Sequence, residues 1–140
     1  MFAAGIGGVF VGSRLNTEPA DQQQTQASPP APTDAEVNAA TVDLCTRFAA
    51  GYRAMPAPQN TGFDIVPTLD YIADALHDNP FADSRIREAV QDSLRLGRDQ
   101  ASNFSKEAAR GAIQPATTWS VEAANKADQR VWDLCRAYEA

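Results

Sequence analysis

Two cysteines constrain this chain more than any other feature. They are its only two, and each follows the same dipeptide, in Asp43-Leu44-Cys45 and Asp133-Leu134-Cys135. Both sit on apolar stripes with helical spacing, one near the start of the region with folding potential and one near its end. A disulfide between them would lock the first helix to the last. It would close a loop of about 90 residues and stabilise the fold by roughly 4 kcal/mol in the chain-entropy picture. Such bonds persist in oxidising compartments, so the pairing implies an extracytoplasmic domain. The competing reading is a pair of buried free thiols acting as small hydrophobes. No C-x-x-C spacing is present, and two Cys with one His are too few for a structural zinc site.

The stripes that hold the cysteines are helical throughout residues 33–140. Thr33-Asp34-Ala35-Glu36 is a capping box, and Val37, Thr41, Leu44, Phe48, Tyr52 and Met55 recur at steps of three and four behind it. This first helix should stop before Pro56 and Pro58. After a loop through Asn60, Thr61 and Gly62, Asp64 is expected to cap a second helix with Pro67 in its first turn and the stripe Ile65, Leu69, Ile72, Leu76. Asn79-Pro80 ends it. Asp83 or Ser84 caps a third, striped by Ile86, Val90, Leu94, Gly97, Ala101 and Phe104, which should fade near Arg110-Gly111. Thr118 or Ser120 caps a fourth, striped by Ala124, Ala127, Val131, Leu134 and Tyr138. No strand of useful length is predicted. Four helices with short connections imply an all-α, antiparallel four-helix bundle in which the first and last helices are neighbours.

Two segments precede the bundle. Residues 1–12 are wholly apolar or Gly, and Arg14 ends the run. Twelve helical residues rise about 18 Å against a hydrocarbon core of about 30 Å, too short to span. We read residues 1–15 as the C-terminal half of a membrane helix whose start lies upstream, in preference to a short interfacial anchor. Gly8 and Gly12 have the small-xxx-small spacing of packed membrane helices. Residues 16–32 are rich in Gln, Pro and Ser and hold no large apolar side chain, so a disordered tether is expected.

The order apolar start, Gln22–Pro32 tether and paired Asp-Leu-Cys motifs resembles small Ala-rich envelope proteins of mycobacteria and related actinobacteria. The resemblance implies a single membrane helix at the cytoplasmic membrane, a flexible linker and a compact extracytoplasmic helical domain. It implies location and not activity.

Charge and site chemistry narrow the function. The formal charge is −6, from 18 acidic and 12 basic residues, which argues against nucleic acid as a partner. His77, the only histidine, falls at the end of the second helix, where an imidazole meets terminal carbonyls. It has no local nucleophile or orienting carboxylate, so no catalytic residues are assigned and no enzyme is expected. Asp70, Asp74 and Asp78 form a row four apart, read as a solvated face that pairs with Arg85, Arg87, Arg95 and Arg98 rather than as a calcium loop. No metal or cofactor is expected. Phe63, Phe81 and Trp119 lie in loops beside helix ends, and Trp132 lies one step off the stripe of the fourth helix. They are expected to cap the bundle core; the alternative is a partner-binding surface, with Trp119 the best suited anchor. The leading expectation is an interaction module with a protein partner in the envelope. The alternative is a bundle that carries a small ligand, an apolar molecule or haem, near small residues such as Gly97, Ala124 and Ala127.

Overall fold

A computed structural model of the chain describes residues 29–104 and 119–139. It contains four α-helices, α1 (Asp34–Ala54), α2 (Val66–Asp78), α3 (Ser84–Phe104) and α4 (Val121–Cys135), with short 3₁₀ turns at Gly62–Asp64 and Arg136–Tyr138. There is no strand among the described residues. The expectations for residues 1–15, for the tether as far as residue 28 and for a helix end at Arg110-Gly111 lie outside the described residues. Among the described residues, no helix is long and apolar enough to cross a membrane.

Residue pairs set the direction of each helix. Asp43 and Arg47 of α1 meet Asn79 and Asp78 at the end of α2, while Gly51 meets Thr68 near its start, so α1 and α2 are antiparallel. Leu69 of α2 lies against Gly97 of α3, and Arg87 of α3 reaches back to the α2 terminus. Ser93 of α3 bonds Asp128 of α4. Phe48 and Cys45 of α1 meet Trp132 and Cys135 of α4, closing an antiparallel four-helix bundle.

The predicted stripes are the core. Leu44, Phe48, Leu69, Ile72, Ile86, Val90, Leu94 and Val131 are all buried in one cluster. Gly97 is needed for close approach: a Cβ there would stand 2.6 Å from Leu69 Cδ2. The small residue therefore admits a neighbouring side chain from α2.

The helix ends follow the rules of orphan backbone groups. Thr33 and Glu36 form the expected capping box on α1. Asp83 Oδ1 accepts from the Arg85 amide at 2.9 Å to cap α3, and Ser120 accepts from the Ala123 amide to cap α4. Asp64 behaves differently from expectation. Its carboxylate accepts from the amides of Asn60 and Thr61 at 2.9 and 2.8 Å and so ties down the loop, while Ile65 stands at the α2 N-cap without a side-chain bond. The loop needed those donors satisfied before the helix began, and Asp64 lies within reach of them. Thr41, a polar member of the α1 stripe, is fully buried because its hydroxyl accepts from the Asp83 amide and donates to the Val37 carbonyl.

The expected pairing of the Asp70–Asp74–Asp78 row with arginines of α3 is not what forms. Asp78 pairs with Arg47 of α1 at 2.8 Å, Arg85 pairs with its neighbour Asp83, and Arg95 pairs with Asp92 and Asp99. Arg87 donates to the carbonyls of Leu76 and Asn79. A guanidinium from α3 thus occupies the cationic position at the α2 terminus that the sequence suggested for His77.

Candidate functional site

The Cys45–Cys135 bond is present, with the Cα atoms 5.6 Å apart, as normal disulfide geometry requires. Both cysteines are buried. One turn further along, Phe48, Tyr52 and Trp132 form an aromatic cluster with centroid separations of 4.6–6.0 Å. The seam between α1 and α4 is therefore covalent at one level and aromatic at the next.

Below the aromatics the seam turns polar. The Ser93 hydroxyl donates to Asp128 Oδ1 at 2.6 Å. The Tyr52 hydroxyl lies 3.2 Å from Ser93 Oγ and also hydrogen-bonds the Asp128 carboxylate. Burial, and then the nearby charge of Asp128, pushes the Tyr52 phenol well above its usual range. Burial also raises Asp128 above the ordinary aspartate value of 3.8, against the opposing pull of hydrogen bonds from Ser93 and Tyr52. Tyr52 and Asp128, the two ends of this polar chain, line a cleft of about 340 Å³ between the end of α1, α3 and the start of α4. The Met55–Gln59 loop roofs it, and Gln100 Nε2 donates to Gln59 Oε1 at 3.1 Å across the mouth.

The raised Asp128 pKa has a definite sign in the stability. The native state holds a proton that the unfolded chain releases near pH 3.8, so Asp128 costs stability as pH rises through that window. Asp128→Asn removes the ionisation. In urea titrations at pH 4 and pH 7, the stability of the variant relative to wild type is expected to improve with pH. A relative stability that falls with pH would mean that the carboxylate is better solvated in the fold than outside it.

A second concavity lies on the outer side of the α3–α4 pair. This groove of about 760 Å³ has Leu96, Ala123, Ala127 and Leu134 as its apolar part. Its charged lining is Asp92, Arg95 and Asp133, all ion-paired, together with Lys126 and Arg130, one turn apart on α4. Neither Lys126 nor Arg130 has a carboxylate within ion-pairing distance among the described residues, whereas Arg95, Arg85, Arg47 and Arg136 are all paired.

Comparison of the chain with protein-family models, with curated proteins and with solved structures gives no match. The chemistry of these surfaces is thus the ground for a functional reading.

The loop aromatics do not cap the core as expected. Phe63 is 89% exposed and Phe81 is 56% exposed. They flank opposite ends of α2, so they do not form one patch. Phe63 borders a hollow with Val66 and Ala101, and Phe81 projects from the α2–α3 turn. Trp119 is partly buried, and its indole Nε1 is buried without a hydrogen-bond partner among the described residues.

The polar chain of Tyr52, Ser93 and Asp128 escaped the sequence reading. Its signal was nonetheless present. Ser93 falls three residues after Val90, and Asp128 falls three before Val131, so both are polar residues in register with an apolar stripe. Lys126 and Arg130 carried no such signal, because their lack of a partner depends on tertiary placement.

Proposed function

We propose that this protein is an extracytoplasmic helical interaction module that acts by binding rather than catalysis. Its apolar 1–15 segment would hold it at the membrane, and the 16–32 tether would carry the bundle away from the surface. The disulfide supports the extracytoplasmic placement, since a buried structural disulfide suits an oxidising compartment. The groove between α3 and α4 carries the binding part of the reading. It offers an apolar strip bordered on α4 by Lys126 and Arg130, which have no ion pair among the described residues, while the carboxylates Asp92 and Asp133 in its lining are held by Arg95 and Arg136. That combination fits an amphipathic helix from a protein partner, with apolar residues at i, i+3, i+4 and i+7 and acidic residues along one flank.

Two designed helical peptides with the same apolar stripe test it, one flanked by Glu and one by Lys. The Glu-flanked peptide should bind the folded, oxidised protein and shift amide resonances of Leu96, Ala127 and Leu134. Lys126→Glu with Arg130→Glu should reverse the preference between the peptides. Equal binding of both peptides, or shifts confined to other faces, would dismiss the groove as the docking site.

A further inference from the structure

We propose that the cleft beneath Tyr52 binds a small organic cation, a primary alkylammonium compound, with its nitrogen against the Asp128 carboxylate. The cleft lies on the inner seam, away from the outer α3–α4 groove, and this site stands independently of the proposed docking function.

Three observations converge on that ligand class. First, among the described residues Asp128 is the only charged one lining the cleft, whose other polar lining groups include Tyr52, Gln59, Gln100 and Asn125. Second, Asp128 is partly buried and has no cation within ion-pairing distance among the described residues; it is held there by the neutral hydroxyls of Ser93 and Tyr52. A desolvated carboxylate held only by neutral donors is unfavourable unless a positive charge joins it. The carboxylate still has lone pairs left to accept from an ammonium group. Third, the cleft supplies further acceptors. Gln100 uses its Nε2 to hold Gln59, which leaves its Oε1 as an acceptor for a second N–H group, and the Asn125 amide also lines the cleft.

The volume of about 340 Å³ lies at the lower end of small-molecule sites and suits a short aliphatic chain. Ile65, Leu69 and Gly97 form an apolar wall against which such a chain would lie. An anion would meet Asp128 with no compensating cation in the lining among the described residues, so the cleft should reject it. An apolar ligand or haem would leave the polar lining unmatched.

The oxidised full-length protein is titrated with 1,4-diaminobutane, n-butylamine, n-butanol and butyrate while backbone amide resonances are followed. Saturable binding of the two amines is expected, with shifts at Ser93, Gln100 and Asp128. Butanol and butyrate should not bind. Asp128→Asn should weaken amine binding by about tenfold or more, the size of a lost charge-assisted hydrogen bond. Gln100→Glu, which adds a second carboxylate at the mouth, should tighten it. A Gly-Lys-Gly peptide separates a free amine from a protein lysine as the source; binding by this peptide alone would overturn the small-molecule site. So would butanol binding as well as butylamine, affinity unchanged in both variants, or no saturable binding of any amine.

Discussion

Replacing both cysteines by alanine should lower the unfolding free energy by about 4 kcal/mol. The argument runs through the unfolded chain. The bond joins residues 90 positions apart, so it removes a great deal of freedom from the denatured ensemble and little from the native one. Alanine is the right replacement because both side chains are buried, and serine would add a buried hydroxyl to the comparison. Domains of this size have total stabilities of about 5–15 kcal/mol, so the loss is a large share of the whole. Urea unfolding of the oxidised and double-alanine proteins measures it directly. The oxidised chain should also show the smaller m-value, because its denatured state is cross-linked and exposes less surface. A loss below about 1 kcal/mol would mean that the entropic account fails here and that α1 and α4 are held by packing alone.

That seam also shows how far the sequence went. Helical periodicity located all four helices, because the stripes of Leu44 and Phe48, Leu69 and Ile72, Val90 and Leu94, and Val131 had only one way to be buried together. The capping residues Thr33, Asp83 and Ser120 were legible because capping is a local bond between near neighbours. Asp64 was misread for the same reason. Two local uses compete for its carboxylate, and only the path of the Pro56–Thr61 loop decides between them. Long-range pairs such as Arg47 with Asp78 depend on helix rotation, which periodicity fixes only to within a turn. The exposure of Phe63 and Phe81 was illegible because large aromatics normally find burial, and whether a loop side chain reaches the core depends on the path of the loop. The cleft was missed for a related reason. Ser93 and Asp128 break the apolar stripes of two separate helices, and the meaning of each break appears only where the two meet Tyr52.

Phe48→Ala should cost about 3–5 kcal/mol in the oxidised protein, the range for emptying a buried aromatic site. Phe48 is 1% exposed and lies 4.6 Å from the Tyr52 ring and 5.3 Å from that of Trp132. Its loss leaves a cavity where α1 meets α4 and takes away the packing that orients Tyr52 above Ser93. The disulfide and Phe48 hold the same seam through different states of the chain. The disulfide acts mainly on the unfolded ensemble, whereas Phe48 acts on native packing, so their contributions should add despite their proximity. Combined, the two losses approach the entire stability of a domain this size. The triple variant, with both cysteines and Phe48 replaced by alanine, should therefore be unfolded at room temperature, with its helical circular dichroism lost. A different outcome would be informative about cooperativity. If most helical signal survives while the near-ultraviolet signal of Trp132 disappears, α4 has detached from a surviving α1–α3 core. The bundle would then be two cooperative units joined at this seam rather than one.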